Sequence, residues 1–259
     1  MKKSRPRAVR TSAKTGSVNL AAASGCVTAT LAWPSNGNRV SAAMATELME
    51  LFERVEDDAD IAMLAITGAG DIFCAGFEAD VNPNLVEALA VISKPTVAII
   101  NGDASDEGME LAMAADIRIA RKDAGKIGLP EVNLGVLPGT GGTQRLSRMV
   151  GKSKAIELMV TGNTFSFEEA KDLGIVNDIF EREGFMENIM EYARQFTPPN
   201  KAAKAVGRIK RAVQTGWEIP MESALAVERE NQQILFQSED AKEGLAAYVE
   251  KRPAEFKAK

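Results

Sequence analysis

Thr96-Val97-Ala98-Ile99-Ile100, then Asn101-Gly102-Asp103-Ala104-Ser105-Asp106, then Glu107 to Ala115 and Asp116-Ile117-Arg118-Ile119-Ala120 follow one another without a break. The first block is a short run rich in β-branched residues and reads as a buried strand. The second is polar and carries a glycine, the composition of a loop. Glu107 to Ala115 reads as a helix and Asp116 to Ala120 as another strand. Strand, loop, helix and strand in immediate succession predict an α/β domain with parallel pairing.

The same alternation extends in both directions. Gly25 to Trp33 (GCVTATLAW) alternates as a half-buried strand does, and Pro34-Ser35-Asn36-Gly37 breaks it. Ser41 is a candidate N-cap, and Met44, Leu48, Leu51, Phe52 and Val55 recur on one helical face. Ile61 to Ile66 reads as a buried strand ended by Thr67-Gly68-Ala69-Gly70. Downstream, Gly141 to Val150 reads as a helix, and Ser166-Phe167-Glu168-Glu169 is a capping box opening a helix that stops at Gly174. Ile175 to Phe180 reads as a further strand. Beyond Met186, proline-marked breaks separate helical segments, including Met221 to Phe236 and Ala241 to Lys251. The expected organisation is a basic extension over 1–17, an α/β core over 18–198 and a helical region over 199–259.

Composition narrows the chemistry. The 259 residues contain no histidine, which removes Ser-His-Asp and Cys-His catalysis and histidine-ligated zinc. Cys26 and Cys74 are too few for a disulfide framework, lack metal-ligand spacing and point to a reducing compartment. No apolar run approaches the roughly 20 residues needed to cross a bilayer. Lys2, Lys3, Arg5, Arg7, Arg10 and Lys14 make the start basic, leaving 25 basic against 36 acidic side chains in the rest. An acidic body argues against nucleic acid as the main partner. The basic start reads as a solvated extension in a cytoplasmic protein, or as the remnant of a mitochondrial targeting segment.

Three loops carry the informative residues. They are Phe73-Cys74-Ala75-Gly76-Phe77-Glu78, then Asn101 to Leu111, and then Gly128-Leu129-Pro130-Glu131 running on to Pro138-Gly139-Thr140-Gly141-Gly142-Thr143-Gln144-Arg145. With Lys94-Pro95-Thr96, Ala114-Ala115-Asp116 and Phe256-Lys257, these motifs resemble the crotonase, or enoyl-CoA hydratase/isomerase, superfamily from about Val18 to the end.

The resemblance implies a crotonase-like fold of stacked strand-strand-helix repeats with a C-terminal helical region, assembled as a homotrimer or homohexamer. It implies an acyl-CoA substrate, with coenzyme A entering as part of that substrate, and no metal or redox cofactor. It places the backbone N–H groups of Phe77 and Glu107 in an oxyanion hole, Glu110 and Glu131 as the two catalytic carboxylates, and Ala75, Gly76, Gly108, Gly139 and Lys257 in substrate binding. Two carboxylates facing across a double bond suit hydration of a 2-enoyl thioester without histidine. Other reactions of the superfamily, isomerisation or thioester hydrolysis, remain alternatives, as does a non-catalytic binding protein.

Each motif has a bland counterpart. Ala75 and Gly76 fit any tight strand-ending turn. Gly139, Gly141 and Gly142 close an acyl pocket by resemblance, or simply pack a helix start. Lys201, Lys204, Arg208 and Arg211 form one helical face, either solvated or contacting CoA phosphates. Arg39 stands where the family's adenine-binding segment lies, with a poor fit. Apolar Met109, Leu111 and Met113 predict that Glu110 is desolvated.

Two departures from the family pattern stand out. Only 13 residues separate Asp80 from Lys94, which implies a shorter wall of the acyl site. Ser105-Asp106-Glu107-Gly108 stands where three glycines are usual. The preferred reading is that Asp106 and Glu107 complement the helix dipole and point to solvent. The competing one is that Glu107 displaces the oxyanion geometry, a carboxylate near a forming enolate costing about 1 to 4 kcal/mol.

Overall fold

The computed structural model describes residues 15–258, so the basic stretch 1–14 lies outside the described residues. Two sheets carry the α/β part. The larger has six strands in the order β1 (Ser17–Ala23), β2 (Cys26–Ala32), β3 (Met63–Gly68), β5 (Thr96–Ile100), β7 (Ile117–Arg121) and β10 (Asp178–Phe180). From β2 to β10 every neighbour is parallel; β1 alone folds back antiparallel on β2. The smaller sheet is built of β4 (Ile72–Cys74), β6 (Asp103–Ser105), β8 (Lys126–Gly128) and β9 (Phe165–Ser166). Each of β3, β5 and β7 in the larger sheet is followed at once by its continuation in the smaller one. This is the expected crotonase-type strand-strand-helix repeat.

The junctions between sheets need close backbone approach. A Cβ at Gly68 would collide with the Ile72 carbonyl, and one at Gly102 with the Asp71 carbonyl. Buried Asn101 ties two successive junctions together. Its carboxamide donates to the Gly68 and Gly70 carbonyls at 2.9 and 2.8 Å and accepts from the Gly68 N–H at 3.0 Å. Asn38 does the same one layer away, donating to the Ala69 and Ile72 carbonyls and accepting from the Trp33 N–H. Backbone groups that leave one ladder before joining the next are thus satisfied.

Helices follow the expected pattern. Ser41 caps α1 (Ala42–Asp57), accepting from the Met44 N–H, and Met44, Leu48, Leu51, Phe52 and Val55 are all buried. The short α2 (Asn84–Ala90) occupies the abbreviated link and buries Leu85, Val86 and Leu89. α3 (Glu107–Ala114), α4 (Gly142–Val150) and α5 (Lys152–Thr161) follow. Ser166 caps α6 (Phe167–Asp172) by accepting from the Glu169 N–H, as its capping box predicts. Ile175 and Val176 are buried without being strand: their N–H groups bond back to the Ala170 carbonyl, so β10 begins only at Asp178.

The C-terminal part contains α7 (Phe185–Arg194), α8 (Ala203–Trp217), α9 (Met221–Phe236) and α10 (Glu239–Glu250). No helix among the described residues is long and apolar enough to cross a membrane. α8 is fastened to the core by a charge. Buried Lys210 pairs with Asp116 at 2.7 Å and donates to the Lys94 carbonyl at 3.0 Å, while Asp116 accepts from the Thr96 N–H and hydroxyl. Lys201 precedes α8, Lys204 and Arg211 are exposed, and Arg208 donates to Asn231 at 3.2 Å. Removing one partner of a buried pair leaves the other charge stranded. Lys210→Ala is therefore expected to destabilise the protein by about 3 kcal/mol in denaturant titrations. A loss under about 1 kcal/mol would mean that α8 docks through apolar contact alone.

Candidate active site

The site forms where the smaller sheet delivers the chain to the start of α3. Gly108 lets the helix sit directly on β4, since a Cβ there would strike the Cys74 carbonyl. Burial of this packed junction pushes the Cys74 thiol up to about 12, which keeps it neutral. The loop after β4 is pinned from the opposite side: the Ala75 N–H donates to the Gly37 carbonyl, the Val40 N–H to the Gly76 carbonyl, and the Glu78 N–H to the Val40 carbonyl. Gly76 has φ +119°, a conformation that favours glycine, and it places the Phe77 N–H facing the first turn of α3.

Glu110 is fully buried on α3, as its apolar neighbours predicted. Its carboxylate is held by three donors. Oε1 accepts from the Thr140 N–H at 2.9 Å and the Gly142 N–H at 2.6 Å, and Oε2 from the Thr140 hydroxyl at 2.6 Å. The glycine that permits this approach is Gly142, where a Cβ would stand 2.8 Å from Glu110 Oε1. Gly139 has open space around it, so close packing does not account for it. Arg145 supports the loop from behind, donating to the Thr140 carbonyl at 2.8 Å and pairing with Glu87 of α2 at 2.7 Å.

Glu131 opens the 3-10 turn Glu131–Leu134 and is 6% exposed, yet neither carboxylate oxygen has a hydrogen-bond partner. Burial raises this carboxyl to about 7 against the opposing pull of its own backbone N–H, and the facing carboxylates of Asp106, Glu110 and Glu107 push it further up. One glutamate is thus saturated with donors and its neighbour has none.

Glu107 does not point to solvent. It is half-buried, and its Oε2 accepts from the Phe77 N–H at 3.1 Å. Asp106 before it adopts φ 53°, ψ −136°, a strained conformation for a residue with a side chain, and pairs with Arg39 at 3.5 Å. Arg39 also donates to the Phe77 carbonyl at 2.9 Å, which ties it to this site. Burial and the Glu107 carboxylate both push Asp106 above its ordinary value.

A family model described as enoyl-CoA hydratase/isomerase matches residues 21–259. The chain belongs to the enoyl-CoA hydratase/isomerase family. Among its relatives, the 2,3-dehydroadipyl-CoA hydratase of Escherichia coli (strain K12) is 32% identical over 241 residues, covering 88% of this chain and 93% of that one. The crotonyl-CoA hydratase of Syntrophomonas wolfei is 35% identical, covering 81% of this chain and 86% of that one. The crystal structure of an enoyl-CoA hydratase from Bacillus anthracis superimposes with a TM-score of 0.88 at 30% identity, over 95% of this chain and all of that one.

The fold of this family member gathers most of the residues singled out in its sequence: Ala75, Gly76, Phe77, Glu107, Gly108, Glu110 and Glu131 surround one site. Lys257 stands elsewhere. It lines a cleft of about 560 Å³ with Glu239, Asp240, Lys242, Glu243 and Arg252, and its N–H donates to Asp240 at 2.7 Å. Sequence reasoning missed Thr140, whose signal was a hydroxyl set among turn glycines.

The Glu131 environment has a consequence for stability. Its ordinary value is 4.5 and its folded value about 7, so between these the folded chain keeps a proton that the unfolded chain loses. Stability therefore falls as pH rises through that window, and the full penalty persists above it. Glu131→Gln is expected to be more stable than the parent above about pH 7 and equal to it below about pH 4.5 in melting experiments. Parallel pH profiles for the two proteins would contradict the desolvated carboxyl.

Proposed function

We propose that this protein adds water across the 2,3 double bond of an enoyl-CoA thioester, with Glu110 and Glu131 as the two catalytic carboxylates. The unequal surroundings of the two glutamates carry the reading. Glu110, held by three donors, is oriented as a carboxylate to accept a proton from water as the water oxygen bonds to Cβ. Glu131, with a value near 7 and no internal partner, is suited to hand a proton to Cα. The negative charge that develops on the thioester oxygen between these steps falls to the N–H groups of Phe77 and Glu107. The second of these stands at the first position of α3, where a helix leaves its N–H groups without carbonyl partners. The proton gained by Glu110 and that lost by Glu131 are exchanged with water to restore the starting state. The reaction uses no metal or redox cofactor, and coenzyme A enters and leaves with the substrate.

The substrate class is an acyl-CoA, and the assembly proposed is a homotrimer or homohexamer. Exposed Ile209, Val213 and Trp217 on α8 and Met221 on α9 offer apolar surface for such packing. Lys257 would serve CoA binding across a subunit boundary, given its separation from the glutamates within one chain. Buried, free Cys26 and Cys74 suit a reducing compartment, in keeping with the cytoplasm or the mitochondrial matrix.

Turnover of short, long and cyclic enoyl-CoA esters, followed by loss of the conjugated thioester absorbance and by product analysis, tests the assignment. Hydroxyacyl-CoA should form and should be lost in both Glu110→Gln and Glu131→Gln. The rate should decline above about pH 7 as Glu131 loses its proton. A shifted alkene or free CoA as product would replace hydration by isomerisation or hydrolysis, and thioester binding without turnover would favour the non-catalytic alternative.

Thr140→Val removes a hydroxyl bond to a charged group and should lower kcat about tenfold or more, with Thr140→Ser retaining most of the rate. Equal rates in the valine and serine variants would dismiss the hydroxyl.

A further inference from the structure

The Phe77 N–H already has an acceptor in the free protein. Glu107 Oε2 lies 3.1 Å from it, in the place where an incoming carbonyl oxygen would have to sit. That acceptor is an anion, and a bond from an N–H to an ionised oxygen is stronger than one to a neutral carbonyl. Arg39 is within reach of the same spot. A Cβ built at Gly76 would stand 2.8 Å from Glu107 Oε2 and 2.9 Å from Arg39 Nη1, so carboxylate and guanidinium border one small volume that glycine leaves open. The other titratable groups facing this region are Asp106, paired with Arg39, Glu110, bonded to Thr140 and Gly142, and Glu131, which feels the Glu107 charge.

We propose that Glu107 is a specificity-determining residue: its carboxylate occupies the Phe77 N–H as an internal competitor of the thioester carbonyl, and binding of a thioester moves it toward Arg39. The inference rests on the enoyl-CoA reading of the site. Its physical content is a bond exchange. The neutral thioester carbonyl of the ground state is a weaker acceptor than the carboxylate it displaces, so thioester binding is reduced by that difference. Once charge builds on the thioester oxygen, the two acceptors become alike and the disadvantage shrinks. A CoA ligand with no carbonyl next to sulfur has no use for the Phe77 N–H and leaves Glu107 where it is.

The test compares two probes on the full chain by calorimetry: a saturated acyl-CoA thioester, and the thioether of the same length with CH₂ in place of C=O. In Glu107→Ala the thioester should bind about tenfold tighter than to the parent, while the thioether changes by less than about twofold. Glu107→Gln keeps the size of the side chain and a neutral acceptor, so it should tighten the thioester in the same direction by less. It also decides the matter if the alanine variant does not fold. In Arg39→Gln the thioester should weaken while the thioether holds, and an unchanged thioester there removes Arg39 from the exchange. An unchanged or weaker thioester in both Glu107 variants, or an equal shift of both probes, overturns the proposal while leaving the acyl-CoA site in place. If the parent and all variants bind neither probe, the acyl-CoA reading fails and the proposal falls with it.

Discussion

The buried carboxamide of Asn101 holds together the first two of the three places where the chain steps from the larger sheet into the smaller one. Parallel strands cannot change sheets without freeing carbonyl and N–H groups in the interior, and each such group left without a partner is costly. Asn101 meets several of them at once, and Asn38 repeats the device one layer away. Everything that follows the junction inherits its position from them. The loop carrying Phe77 leaves one junction and the α3 start carrying Glu107 and Glu110 leaves the next. The distance between these groups is set by sheet spacing rather than by the loops themselves.

On that frame the site concentrates negative charge. Asp106, Glu107, Glu110 and Glu131 face a common region, with Arg39 the guanidinium beside them. Such a cluster persists because each carboxylate is handled differently. Glu110 takes three donors, Glu107 takes the Phe77 N–H, Asp106 takes Arg39, and Glu131 is left to hold a proton near neutrality. Two chemically identical side chains, Glu110 and Glu131, are thereby given unlike surroundings, one oriented by three donors and the other desolvated and raised to about 7. The division depends on the turn before α4, where Thr140 and Gly142 reach one carboxylate and leave the other alone.

Much of the architecture was legible along the chain. The helix of Ala42–Asp57 with its Ser41 cap, the capping box of Ser166 and Glu169, and the alternation of strands with helices are local properties, fixed by spacing and by side-chain reach over three or four residues. What escaped was short or weakly patterned. β1 is rich in alanine, with Leu20 half exposed, and carries little periodic signal. The strands of the smaller sheet are two or three residues long, below the length at which alternation can be recognised. Ile175 and Val176 are apolar because they plug the end of α6, an apolar run that a strand would also produce.

The sequence by itself determined the family, the α/β alternation and the identity of the residues around the site, because motif residues and helical spacing are written in consecutive positions. Only the tertiary structure decided what those residues do to one another. Glu107 lies 30 residues from Phe77, and Thr140 lies 30 from Glu110. Whether a carboxylate faces water, an N–H or a hydroxyl at such separations depends on how the sheets bring distant turns together. Lys257 shows the opposite outcome, since a motif residue can keep its identity while the fold of a single chain holds it away from the site.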